Sequence, residues 1–260
     1  MIEVRRRGGR PWRIGHKGAA ALAPENTLAS LERAVAEGVD AIEFDVLALT
    51  DGTLVLAHSD DLRELTHGAV AGRVGGRGLA ELRELSPELP TFEEALAYLD
   101  GTDVGLQVDL KWHGYEREAV EALRRHGLVG RTLVSSFHAR SLREVGRLEP
   151  GLRRGLTYPY DRFRLSKRRL LAPATVSALL AIRAALPRRI GGMLERTGAT
   201  VATLHYLVAT RAAIRRCHAL GAAVWVWTVD DPRAMRRLAA AGVDGVISND
   251  PALLAATLPG

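Results

Sequence analysis

One cysteine, Cys217, stands among 260 residues, so the chain can close no intramolecular disulfide and build no cysteine-based zinc site. No stretch is apolar for long enough to span a bilayer. The basic start, Met1 to Arg10, is not followed by the apolar core that a secretory signal carries. No linker breaks the chain, and no nucleic-acid-binding module accompanies the net charge of +6. That charge leaves an anionic partner open without naming one. These absences lead us to expect a soluble, cytoplasmic chain forming a single domain over residues 1–260.

What is present is organised around Ala41-Ile42-Glu43-Phe44-Asp45-Val46. Alternation along a strand puts Glu43 and Asp45 on one face, roughly 6.5–7 Å apart at Cα, and Ile42, Phe44 and Val46 on the other. Two acids aimed into one space repel unless a cation or a shifted pKa relieves them. A hard divalent ion is the simplest relief. The plain alternative is a half-buried edge strand with a solvated acidic face.

Short apolar runs alternate with amphipathic stretches on either side. Strands are expected at 12–15, 41–49, 53–58, 105–110, 132–137, 154–158, 200–205, 223–229 and 245–247. Helices are expected at 25–37, 91–99, 116–126, 139–148, 210–220 and 232–241, with a last one from Pro251. Asp51-Gly52 marks a hairpin turn between 41–49 and 53–58, and Thr91-Phe92-Glu93-Glu94 reads as a capped helix start. About eight βα units in an undivided chain favour a TIM (β/α)8 barrel over a doubly wound sheet. Residues 59–90 then form a small insertion after the second strand. Residues 159–198 form a basic helical insertion after the fifth. Both would hang at the C-terminal face, where barrel active sites lie.

Polar residues collect at those strand ends. His16 closes the first strand, Glu43 and Asp45 lie on the second, and His58 follows the hairpin. Asp109 and Lys111 end the next strand, Ser136 and Phe137 the one after, and Trp227 a later one. Singly, each has an ordinary explanation as a turn or strand-end residue; together at one mouth they do not. Three carboxylates suit Mg2+ or Ca2+. Two histidines suit an acid and a base. Lys111, with Lys17 beside His16, suits an anionic group. The combination describes phosphodiester cleavage.

The ordered blocks His16-Lys17-Gly18, Pro24-Glu25-Asn26-Thr27, Glu43-Phe44-Asp45-Val46, Thr50-Asp51-Gly52 and His58 resemble the glycerophosphodiester phosphodiesterase family. Asp109-Leu110-Lys111, Ser135-Ser136-Phe137, Trp227-Thr228-Val229-Asp230 and Gly242-Val243-Asp244-Gly245-Val246 resemble its later blocks. The resemblance spans nearly the whole chain outside 159–198. It implies a TIM barrel that hydrolyses small-molecule glycerophosphodiesters to glycerol 3-phosphate and an alcohol. It further implies His16 and His58 as catalytic residues and Glu43, Asp45 and Asp109 as ligands of a divalent metal. Lys17, Lys111, Phe137 and Trp227 would contact substrate or phosphate. The chain departs from the family pattern at Lys17 (usually Arg), Ser59 (usually Asp), Asp109 (usually Glu) and Asp230 (usually Asn). No nucleic-acid partner is expected.

Two further readings accompany the first. Leu170, Leu171, Leu179, Leu180, Ile182 and Leu186 alternate with arginines, so residues 165–196 could touch an anionic membrane transiently. That suits a lysophospholipase D-like hydrolase acting on lipids at a surface. The other alternative is a binding barrel without turnover, which intact His16 and His58 argue against.

Overall fold

The computed structural model describes residues 2–6, 8–66, 68–160 and 172–259, and the side chains of 172–175 are not part of that description. Nine strands run β1 (Trp12–His16), β2 (Ala41–Ala48), β3 (Leu54–Leu56), β4 (Gly105–Leu110), β5 (Thr132–Ser136), β6 (Arg153–Tyr158), β7 (Val201–His205), β8 (Ala223–Trp227) and β9 (Gly245–Ser248). Parallel pairing runs β1-β9-β8-β7-β6-β5-β4-β2 and returns to β1, closing an eight-stranded barrel; β3 adds antiparallel to β2. The expected TIM barrel is therefore the observed fold.

Between the strands lie α1 (Leu28–Ala36), α2 (Leu62–Leu65), α3 (Leu79–Leu85), α4 (Phe92–Asp100), α5 (Glu116–Arg125), α6 (Ala139–Leu148), α7 (Ala172–Thr197), α8 (Arg211–Ala219), α9 (Pro232–Ala241) and α10 (Pro251–Thr257). Outward-facing Ile42, Phe44 and Val46 pack with Leu31, Phe92, Leu96 and Leu106 in a core between sheet and helices. All but the last residue of β2 is buried, which removes the edge-strand alternative. Capping follows the sequence closely. Thr91 and Glu94 form a reciprocal capping box, and Thr27, Thr210, Asp231 and Asp250 each cap a helix with a side-chain oxygen.

Three expectations need correction. The first helix begins at Leu28 rather than Glu25, because Asn26 takes a left-handed φ of 59° and Thr27 is the N-cap. The hairpin strand is only Leu54–Leu56, since pairing with β2 ends there. Residues 159–198 are not wholly an insertion. Leu186, Ile190 and Leu194 recur every fourth residue and are buried, so this half of α7 is the barrel's own helix between β6 and β7. The 26-residue α7 would run about 39 Å at 1.5 Å per residue, far longer than its neighbours. Its described N-terminal part carries exposed Val176 and Leu180. Residues 161–171, including Leu170 and Leu171, lie outside the described residues.

Residues 59–90 carry α2 and α3, whose Leu62 and Leu82 join Val74 and Leu89 against Leu47, Leu49, Val55 and Ala57 of the hairpin. This small core is separate from those behind the barrel and fixes α2 beside the mouth. No helix among the described residues is long and apolar enough to cross a membrane.

Candidate active site

Register builds the site. His16 pairs with Glu43 across β1 and β2, and Asp45 pairs with Asp109 across β2 and β4. Glu43, Asp45 and Asp109 are 5, 0 and 3 % exposed. Each offers an oxygen within 4.8 Å of the other two. The three acids expected to converge do so.

Hydrogen bonds aim two of them. Asn26 donates from Nδ2 to Asp45 Oδ2 at 2.9 Å, and its Oδ1 accepts from the Asp45 backbone N–H at 3.0 Å. Asp109 Oδ1 accepts from Ser135 at 2.6 Å and from Thr157 at 3.2 Å, and Gln107 donates to Ser135 in turn. Lys111 Nζ lies 2.5 Å from Asp45 Oδ1 and 2.7 Å from Asp109 Oδ2. Its ammonium therefore sits among the acids.

The charges do not balance without help. Burial, then the charge of Asp45, push Glu43 well above the ordinary carboxylate range. Burial opposes ionisation of Asp45 too, but Lys111 first and His58 next hold it below that range. Lys111 rises above its usual value because Asp109 and Asp45 outweigh burial. One ammonium thus neutralises part of the cluster, and ionisation of Glu43 is opposed. Asp45 Oδ1, fully buried, has the Lys111 ammonium at 2.5 Å as its charged neighbour. Three buried carboxylates whose oxygens converge within 4.8 Å, with one ammonium against three acids, are a donor set that fits a hard divalent ion.

His16 is held by a relay. Asp230 accepts from Asn249 Nδ2 at 2.6 Å and from its backbone N–H at 2.8 Å. Asn249 must therefore turn Oδ1, its acceptor, toward His16 Nδ1, 2.6 Å away. The ring hydrogen then lies on Nδ1, and Nε2 keeps its lone pair 3.8 Å from Glu43 Oε2. Burial first, and the charge of Lys17 second, push His16 down to about 4. The ring is neutral at physiological pH.

The turn after His16 is tight. Lys17 takes a left-handed φ of 51°, and its backbone N–H donates to Glu43 Oε2 at 3.0 Å. A Cβ on Gly18 would stand 2.6 Å from the Ser30 backbone, so only glycine fits against α1. Lys17 Nζ lies 2.8 Å from Glu25 Oε1. The lysine expected to hold phosphate is turned to that acid.

His58 follows β3, where the Ala57 N–H donates to the Asp45 carbonyl at 3.1 Å. His58 Nδ1 is 2.9 Å from Glu64 Oε2. Phe137 and Trp227 border the mouth from the ends of β5 and β8, their ring centroids 6.0 Å apart. Tyr160 lies 5.1 Å from Phe137. The structure thus gathers the acids, His16 and Lys111 tightly, and sets Phe137 and Trp227 together as an aromatic edge.

Asn26, Asn249, Glu64 and Ser135 were not expected to support the site. Asn26 and Ser135 stand within the motif blocks, a signal that was available. Asn249 follows the last strand, 233 positions from His16, and only closure of the barrel joins them.

The chain matches the Glycerophosphoryl diester phosphodiesterase family over residues 16–253. The glycerophosphodiester phosphodiesterase of Caldanaerobacter subterraneus subsp. tengcongensis is 27 % identical over 257 residues, covering 93 % of this chain and 95 % of that protein. The glycerophosphodiester phosphodiesterase of Bacillus subtilis is 27 % identical over 269 residues, covering 92 % and 84 %. Among solved structures, an Oleispira antarctica phosphodiesterase in complex with the product sn-glycerol-3-phosphate is 26 % identical. It superposes with a TM-score of 0.75 over 95 % of this chain and 96 % of that one.

Proposed function

Because the chain belongs to the glycerophosphoryl diester phosphodiesterase family, we propose that it hydrolyses glycerophosphodiesters to glycerol 3-phosphate and an alcohol by histidine acid–base chemistry beside a divalent metal. The observation that carries this is buried His16, its Nδ1 held 2.6 Å from Asn249 Oδ1, beside three converging buried acids. That the chain is a phosphoric diester hydrolase agrees with the names of its relatives and removes the turnover-free barrel.

In this reading His16 Nε2, with its lone pair, takes the proton from the attacking hydroxyl. The resemblance suggests the substrate's own glycerol hydroxyl, through a cyclic phosphate that water later opens. His58 gives a proton to the departing alcohol oxygen, so that no alkoxide leaves free. Glu43, Asp45 and Asp109 would hold Mg2+ or Ca2+, which when bound supplies positive charge to the phosphoryl oxygens. Lys111 adds a second cation there, and Lys17 is assigned to the same anionic group through the His16 turn. Phe137 and Trp227 offer apolar contact to the carbon portions of the substrate. The enzyme is read as one cytoplasmic catalytic domain, with residues 59–90 as a small subdomain over the mouth.

Release of glycerol 3-phosphate from a panel of glycerophosphodiesters, with and without chelator, tests this reading. Release from none of them would sink it.

The exposed Val176 and Leu180 favour a second reading, action on lipids at a membrane surface. Replacing residues 161–178 by a short linker leaves the buried anchors Leu186, Ile190 and Leu194 in place. The expected result is a changed ranking among substrates, lysophospholipids included, with small diesters still cleaved. Co-sedimentation with anionic liposomes should fall in the same variant. A folded variant inactive on every diester would mean that this segment belongs to the catalytic machinery.

A further inference from the structure

His58 comes from the hairpin and Glu64 from α2, so the second histidine draws its partner from the segment inserted between β3 and α4. An ionised carboxylate can only accept, so the 2.9 Å contact puts a hydrogen on His58 Nδ1 and leaves Nε2 as the nitrogen not engaged by Glu64. Ser59 donates to the same Glu64 oxygen at 2.8 Å, and its Oγ accepts from the Asp61 N–H. Asp61 in turn caps α2. The carboxylate is thus fixed on the helix that it serves, and Leu62, fully buried, anchors that helix in the subdomain core.

We propose that Glu64 is the positioning residue for His58: it accepts from Nδ1–H and orients the ring, so that Nε2 is the nitrogen that serves the departing alcohol oxygen. This rests on the function proposed above and extends it to the subdomain, which becomes part of the catalytic machinery rather than a cover. The chain's departure at Ser59 fits the same picture. Where the resembled family has a carboxylate directly after this histidine, this chain has a hydroxyl, and the carboxylate arrives from Glu64 with that hydroxyl bound to it.

His58 and Glu64 side chains are 41 % and 26 % exposed. Water screens such a pair in the free enzyme. A bound diester covering the mouth excludes that water and strengthens the contact at the moment the proton moves. The influence of Glu64 should accordingly appear in kcat more than in KM.

The test compares wild type with Glu64→Gln, Glu64→Ala and Glu64→Asp on two diesters that differ in leaving group. Glycerophosphoethanolamine expels an alkoxide that needs a proton, and glycerophospho-p-nitrophenol expels a phenolate that does not. Glu64→Gln and Glu64→Ala should lose about 10- to 100-fold in kcat on the first, part of the roughly 10²- to 10⁴-fold that a positioned acid contributes. KM should be little changed, and the loss on the second substrate should largely vanish. Glu64→Asp should recover part of the activity. Independently of turnover, nitrogen NMR of the free enzyme should report the hydrogen of neutral His58 on Nδ1 in wild type and its redistribution in Glu64→Ala.

Equal losses on both substrates, or none on either, would overturn the inference while leaving the diesterase reading intact. An unchanged His58 tautomer in Glu64→Ala would do the same. A wild-type enzyme that cleaves neither diester would overturn the function itself, and the inference with it.

Discussion

His16→Ala and His58→Ala should each lower turnover of a glycerophosphodiester by at least about 10²- to 10⁴-fold, the usual contribution of a positioned acid or base. The variants should still bind divalent metal, because neither histidine is among the three acids that converge. The double variant should lose less than the product of the single losses, since groups that move one proton in and one proton out act as a unit. The two single variants should differ in pH dependence. His16 must be unprotonated to accept a proton, and burial pushes it down to about 4. The acid limb of the rate profile should therefore lie below the ordinary histidine value, and His16→Ala should abolish it. Asp230→Ala should reproduce a milder form of that loss by freeing Asn249 to turn its amide. Near-normal turnover in His58→Ala would reduce that residue to part of a turn.

Legibility in the sequence followed the range of the interaction. The limits of β4, α6 and α9 match those expected, because alternation, periodicity and caps are local signals. The acids on β2 were visible for the same reason, and placing Asp109 opposite Asp45 needed only the assumption of a parallel neighbour. Errors arose where local signals are silent. Nothing in Glu25-Asn26-Thr27 announces that Asn26 will leave helical space to grip Asp45 from both sides. The basic composition of 159–198 hid an apolar repeat, Leu186, Ile190 and Leu194, that belongs to the barrel. The Lys17 ammonium lies 2.8 Å from Glu25, a contact that depends on the left-handed turn after His16 and so carries no sequence signal. The supports of both histidines, Asn249 for one and Glu64 for the other, exist only once distant segments meet.

Glu43→Gln should raise the stability of the metal-free protein and abolish activity together. The folded chain holds Glu43 well above its ordinary range through burial and the charge of Asp45. A carboxyl group with a raised native pKa binds more protons folded than unfolded, so its contribution to stability is present below its unfolded pKa. That contribution is lost as pH rises through the folded one. Glutamine keeps an oxygen to accept from the Lys17 N–H and carries no charge to repel Asp45. The thermal midpoint of wild type in chelator should accordingly fall more steeply than that of Glu43→Gln as pH rises above the unfolded carboxylate value. Divalent metal should reverse the order. Mg2+ or Ca2+ binds the ionised carboxylate, whose formation burial and Asp45 oppose, so affinity should increase with pH. Wild type should gain stability on titration with metal, and Glu43→Gln, short of one anionic ligand, should gain little. Activity in wild type should disappear in excess EDTA and return with added metal. Full turnover in EDTA would remove the ion from the reaction and leave Lys111, already 2.5 Å from Asp45 and 2.7 Å from Asp109, as the cation of the site.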